Sequence, residues 1–384
     1  MTRSISSGQA DSPQPVGQQQ PRIGGATSRS RWQIERRAHV SKRRQFAAIM
    51  IALLSSLVVS SFLIALAGAN VPEGLIAMAR GGFGSGKAIA ETLVQATPLI
   101  FTGLAVVVAF RARIWNIGAE GQFFAGAMGA VWVTLLIGEF LPSVVLIPLI
   151  ITAAIICGAI WGVIPGFLKV RYGANEIIVT VMMNFVILFI LSFLLSDAWR
   201  DPNSFFYQTV VMPEAAQFPR LAPRTRLHLG FVLALFVTGL VYIMLWKSTL
   251  GYEIRALGIN PLAVRYKGIS VARITMLVMA ISGAIAGLGG ACEVPGLQQR
   301  LRLDISTGFG FTGIIIAMLG RLHPLGVILA AIFFGALVTG ASTMQIAVNV
   351  PVAIAPTIQG VTLIFLLIAD VLAQYRIRRG RDYG

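Results

Sequence analysis

Gly251–Arg273, GYEIRALGINPLAVRYKGISVAR, is a polar island of small and basic residues set between long apolar runs. A chain that crosses a bilayer many times needs such an island only where something must grip it. Its punctuation is helical. Asn260-Pro261 is an N-cap followed by proline at the first helical position. Gly268 suits the left-handed residue just past a helix end, so a short helix is expected over 261–267. Upstream, Ser248 or Thr249 starts a similar helix that Gly258 ends. Small residues at Gly251, Ala256, Gly258 and Ala263 leave room for another protein's surface, and Arg255, Arg265 and Lys267 supply charge to steer an acidic one. On charge alone, the stretch fits equally well as a basic loop lying among lipid headgroups.

The remainder of the chain says why a handle is needed. Of 384 residues, 56% are hydrophobic and 12% charged, with a mean hydropathy of +0.79. A soluble domain carries roughly 25% charged residues. With no water in the hydrocarbon core, backbone groups must pair within each segment, which only helices and closed barrels achieve. The apolar runs are continuous and not alternating, so the fold is all-α and polytopic. The net charge of +16 does not signal nucleic acid, because the basic residues gather in the first 45 residues, in loops and at the C-terminus. Cys157 and Cys292 lie in separate apolar runs, and His39, His228 and His323 are scattered. No disulfide framework, metal site or catalytic cluster is indicated.

Residues 1–45 form a basic tail expected to be largely disordered, at least up to Trp32. At roughly 20 apolar residues per span, about ten spans follow within 46–373: 46–69, 92–110, 117–137, 144–168, 176–196, 229–246, 273–292, 308–320, 325–344 and 352–373. The first is too long for a cleaved leader and reads as a retained span. Residues 374–384 make a second basic tail. Placing the N-terminus inside puts 23 of the 31 Lys and Arg on the inner side, nine in the tail and five within 247–273, and leaves eight outside. That asymmetry assigns both termini to the cytoplasm. Glycine-rich breaks at Asn116–Gln122, on the inner side, and Ser306–Gly313, on the outer side, are what an inverted repeat of spans 2–5 and 7–10 leaves.

The pattern G-x-x-x-R-A-x-G-x-N-P-x-A-x-x-x-x-G-I resembles the cytoplasmic coupling loop of ABC-importer permeases of the branched-chain amino acid and simple-sugar class. The correspondence rests on Gly251, Arg255, Ala256, Gly258, Asn260, Ala263, Gly268 and Ile269, with Glu253 inside the same loop. NIGAEGQ at 116–122 and GFGFTGIIIAMLGRLHPLG at 308–326 resemble the nucleoside-importing subgroup, in particular the longer of its two permeases. Met318 and the isoleucines before it depart slightly from the expected Ala, Val and Leu. The resemblance covers about 46–373 and implies a type II ABC-importer-like permease of the bacterial inner membrane. Its implied partners are ABC ATPase subunits docking at 247–273, a second and different permease, and an extracytoplasmic substrate-binding lipoprotein. ATP and Mg would then be held by the ATPase chains, and this chain would bind no cofactor.

Several residues read in two ways. Glu120 lies among apolar neighbours, where a buried carboxylate costs on the order of 3 kcal/mol. Arg111 or Arg113 is the expected partner, in a lock between helix ends near the inner edge. Asn116 and Gln122 suit a ribose or base, but buried amides more commonly bond between helices. Asn184, Phe309, Phe311, Thr312 and Gln359 are the remaining candidates for a substrate path, since aromatic rings stack on bases. With 22 Phe in the chain, packing or lipid contact is the commoner role for any one of them. GGFGSGKA at 81–88 imitates a P-loop, but Ala88 stands where a hydroxyl is required and no strand precedes it. The loop Asp197–His228, with Phe205, Phe206 and Tyr207, is a connector or a binding-protein contact. An ion-coupled transporter would need a mid-span carboxylate or His relay, whereas Glu91, Glu120, Glu176 and Asp370 all lie near span ends. A lipid-linked sugar transferase would need clustered Asp, Glu or His, and the sequence offers none.

Overall fold

The computed structural model describes residues 32–36, 41–351 and 353–379. The tail expected to be disordered before Trp32, and the last five residues, lie outside them. Contacts divide the chain into two units. In the first, β1 (Trp32–Arg36) pairs antiparallel with β2 (Tyr375–Arg379), Ile34 opposite Ile377. This short ladder was not expected, although WQIER and YRIRR both alternate apolar and polar residues at the period of a strand.

The second unit is helical. It comprises α1 (Lys42–Leu66), α2 (Val71–Phe83), α3 (Gly86–Arg111), α4 (Ala119–Ile137), α5 (Ser143–Tyr172), α6 (Glu176–Ser196), α7 (Leu229–Lys247), α8 (Thr249–Ile259), α9 (Pro261–Tyr266), α10 (Val271–Glu293), α11 (Phe309–Leu319), α12 (Pro324–Ala347) and α13 (Ile354–Gln374). Among the described residues, nine helices are long and apolar enough to cross a membrane: α1, α3 to α7, α10, α12 and α13. The shorter apolar helix α11 brings the number to the expected ten. Helix α2 is additional. The second span also starts earlier than expected, because Ser85 caps it, its Oγ accepting from the Ala88 N–H at 3.1 Å. The P-loop imitation is thus the end of α2, a cap and the first turn of α3.

Apolar surface gains nothing by leaving lipid for another helix, so membrane helices associate through close packing of small residues. That packing is concentrated where α4, α5 and α10 meet backbone to backbone. Gly126 of α4 lies against Gly287 of α10, while Gly158 and Gly162 of α5 lie against Gly283 and the Met279 carbonyl. A methyl group at any of these positions would overlap the neighbouring backbone.

A second set repeats the arrangement. Helix α3 packs on α11 and α12 as α10 packs on α4 and α5. Gly313 of α11 meets Thr102 of α3, as Gly290 of α10 meets Phe123 and Ala127 of α4. Helix α8 touches the C-terminal end of α3 and leads, through α9, into the N-terminal end of α10. Helices α3 and α10 therefore run in opposite directions, as an inverted repeat requires, and the matching packing covers spans 2–4 and 7–9 of the expected 2–5 and 7–10.

Gly158→Ala should destabilise the chain in detergent by about 1–3 kcal/mol. Gly239→Ala on α7, where a methyl meets open space, should be neutral or slightly stabilising. Thermal unfolding of both variants reads the contrast, and equal midpoints would refute the seam.

Candidate functional site

The loop between α7 and α10 folds as two helices sharing one residue. Ser248 Oγ accepts from the Gly251 N–H at 3.1 Å and opens α8. Asn260 closes α8 and opens α9, its Oδ1 accepting from the N–H groups of Leu262 and Ala263 at 3.0 and 3.3 Å. Gly268, at φ +77, ends the pair. The expected helices both form, the first running one residue past Gly258.

The glycines have a different role from the one expected. A methyl at Gly258 would overlap the Arg111 carbonyl, and one at Gly251 the carbonyls of Met244 and Leu245. Both face their own chain and let α8 fold under α7 and press on the end of α3. The outward surface is made instead by Ile259, Leu262 and Tyr266, which are 76%, 63% and 92% exposed. Between the two helices lies an open cleft of ≈ 300 Å³ lined by Tyr252, Arg255, Ala256, Ala263 and Lys267. Lys267 Nζ donates to Tyr252 Oη at 3.2 Å. Arg255 Nη1 is buried with no hydrogen-bond partner among the described residues, and Glu253 is half-buried on α8. Exposed large apolar side chains flanked by cations suit a protein contact or a headgroup layer.

The break after α3 is tied down by amides. Asn116 Nδ2 donates to Gln122 Oε1 at 2.9 Å and to Ser282 Oγ of α10 at 2.8 Å. Asn184 of α6 accepts from the Gly121 N–H at 2.8 Å and donates to the Ile117 carbonyl at 3.0 Å. Asn184 lies eight residues along α6 from Glu176, or about 12 Å at 1.5 Å per residue. The break therefore runs from the start of α6, where Ile117 N–H donates to Thr180, to this depth at Glu120 and Gly121, because residues 112–118 turn back inward from the end of α3.

Glu120, buried there, pairs with neither Arg111 nor Arg113. It accepts from the Gly310 N–H at 2.6 Å, at the positive end of α11's dipole. Arg111 is engaged elsewhere, its Nε donating to the Leu322 carbonyl at 2.9 Å and its Nη2 to the Arg321 carbonyl at 3.4 Å. Helix α11 accordingly begins beside Glu120 and not at the outer surface. Residues 299–308 descend to it from Leu301, which Thr209 of the outer loop holds through N–H···O bonds of 3.0 and 3.1 Å.

The structure thus places the first turn of α11, which carries Phe309, Phe311 and Thr312, against Glu120 through the Gly310 N–H, while Asn116, Gln122 and Asn184 are consumed in bonds that tie the break to itself and to α6 and α10. Phe309 packs edge-on against Phe123, centroids 5.7 Å apart; Phe311 is exposed, and Gln359 is half-buried on a separate helix, α13.

Sequence reasoning missed Glu293. It is the buried last residue of α10, and its Oε1 accepts from Gln298 Nε2 at 3.1 Å across a π-turn, Val294–Gln298. Pro295, which cannot continue a helical hydrogen-bond ladder, was the available signal. The loop 197–228 is strapped to the segment after this turn. Arg300 pairs with Asp201 at 2.9 Å, Gln299 donates to Gln217 at 2.8 Å, and Arg226 pairs with Glu91 of α3. The tip, Phe205 to Tyr207, stands out from it, Phe205 being 98% exposed.

His228 anchors the loop's far end, its Nδ1 accepting from the Gly230 N–H at 3.1 Å beneath Gly296. Burial pushes its pKa down to about 4. An unfolded His binds its proton near 6.5, so stability is level above that pH. It should fall by on the order of 3 kcal/mol as pH drops from 6.5 to 4. His228→Asn keeps a capping acceptor and should flatten this dependence, read as the thermal midpoint against pH; parallel curves would exclude His228 as the source.

Residues 88–367 match the family model described as branched-chain amino acid transport system / permease component. The chain is 37% identical to the guanosine ABC transporter permease protein NupP of Bacillus subtilis, over 86% of its own length and 93% of that protein. Identity is 36% with the glucose ABC transporter permease protein TsgB13 of Haloferax volcanii, over 77% and 81%. With the nucleoside ABC transporter permease protein NupB of Lactococcus lactis subsp. cremoris it is 33%, over 79% and 86%.

Proposed function

This chain belongs to the branched-chain amino acid transport system permease family, and from that premise we propose that it forms the path for a nucleoside, driven by separate ATPase subunits that grip α8 and α9. It is a multi-pass membrane permease subunit of an ABC transporter and not itself an enzyme. The observation that carries the coupling proposal is the outward face of Ile259, Leu262 and Tyr266 on a loop pressed against the end of α3. A partner carboxylate reaching the cleft would satisfy Arg255 Nη1.

The excess of basic residues favours placing this loop and both termini on the cytoplasmic side of the inner membrane. ATP and Mg then belong to the partner chains. The resemblance to the longer nucleoside permease supports a second, different permease as the other half of the channel. The exposed aromatic tip at 205–207 suits an extracytoplasmic binding lipoprotein. Nucleoside is favoured as cargo by the likeness to permeases named for guanosine and nucleosides, with the exposed ring of Phe311 open to stack on a base. A simple sugar is the second reading, supported by the likeness to a permease named for glucose.

Ile259→Glu with Leu262→Glu should leave membrane insertion intact while lowering uptake and co-purification of the ATPase subunit at least about tenfold, as expected for central contact residues. Normal levels of both would remove the docking reading. In cells expressing the whole transporter, unlabelled nucleosides should suppress uptake of labelled guanosine and glucose should not. Suppression by glucose alone would move the cargo to a sugar.

A further inference from the structure

We propose that Arg111 is a positioning residue that transmits movement of α8 to the half-helix α11, with Glu120 holding that helix at its far end. The inference rests on α8 and α9 being where the ATPase subunits act.

The input side of the linkage has no slack. The backbone of Gly258 lies directly under the Arg111 carbonyl, so α8 cannot advance on α3 without displacing it. The output side is the Arg111 guanidinium. It spans the carbonyls of Arg321 and Leu322, in the turn that closes α11 through Arg321 N–H to Met318 and Leu322 N–H to Ala317. Arg321 and Leu322 stand at φ +57 and +53, a left-handed pair uncommon outside glycine. That costly backbone presents two carbonyls to one guanidinium. The same guanidinium lies 5.0 Å over the ring of Trp246, at the end of α7 just before the loop begins. Arg111 therefore touches the loop's root, the end of α3 and the end of α11.

At the other end of α11, Glu120 accepts from the Gly310 N–H, and Gly310 has no room for a side chain against the Glu120 backbone. A carboxylate at the N-terminus and a cation at the C-terminus both match the helix dipole. Both come from the single corner between α3 and α4. The corner is a bracket that carries α11 as one body over its 11 residues, about 16 Å at 1.5 Å per residue. A push on α8 should therefore reappear at Phe309 and Phe311, in the middle of the bundle.

The test uses the transporter complex purified through this chain and reconstituted in liposomes. It measures guanosine taken up per ATP hydrolysed, normalised to assembled complex, together with maleimide labelling of Thr307→Cys just ahead of α11. In the parent, labelling at position 307 should change when ATP hydrolysis is trapped with vanadate. In Arg111→Gln the ATPase subunits should still co-purify and hydrolyse ATP, uptake per ATP should fall at least tenfold, and the labelling response should vanish. If that variant does not assemble, Arg111→Lys replaces it: one ammonium cannot span both carbonyls as the planar fork does, so an intermediate loss of coupling is expected. Unchanged uptake per ATP in the variant tested would overturn the proposal. So would loss of the ATPase subunits from an assembled Arg111→Gln chain, since Arg111 would then merely scaffold the loop. Docking itself is read separately from the Ile259→Glu, Leu262→Glu chain.

Discussion

Backbone contact among Gly126, Gly158, Gly283 and Gly287 is the constraint on which the rest of the architecture depends. Helices surrounded by lipid are held together by how closely their surfaces approach, and these positions admit no side chain at all. With α4, α5 and α10 locked at that spacing, the first turn of α4 is fixed deep in the bundle. The segment before it must then fold back from the end of α3. A backbone that leaves the helix at such depth needs partners for its amides and carbonyls. Asn116, Thr180 and Asn184 bond that backbone directly, and Gln122 and Ser282 hold Asn116 in place.

The same depth explains Glu120. A carboxylate at that position would be costly alone, but a half-helix beginning there offers unpaired N–H groups that need an acceptor. The two deficits cancel. The inverted repeat makes this possible by bringing the break after α3 and the descending segment after α10 to a common level from opposite ends. Its halves are unequal: the first break is tied by amides, whereas the second is held from above by the outer loop through Thr209, Gln217 and Asp201. One half-helix is thus fastened to both the outer loop and the α3–α4 corner.

At the other end of the bundle, the α8–α9 loop divides its work between two faces. Glycines turn inward so that α8 can bear on α3, and bulky apolar residues turn outward. A rigid inward contact and an exposed outward one are what the proposed coupling to a partner requires.

Much of what local rules govern is legible in the residues alone, although the Ser85 cap, helix α2 and the Pro295 turn are not read from them. Continuous apolar runs marked ten helical segments, and Asn260-Pro261 with Gly268 marked the short helices of the loop. The motifs in 116–122, 251–269 and 308–326 pointed to the family. What only the tertiary structure decided was depth and partner. Sequence proximity points Glu120 to Arg111 and Arg113, but its partner is an N–H group 190 residues away. The small residue at Gly258 suits another protein's surface, yet it faces a carbonyl of its own chain. Glu293 escaped notice because its burial depends on a π-turn and on a loop strapped across it. Hydropathy and capping act over a few residues, whereas the level at which two helix ends meet is set by how closely other helices let them approach.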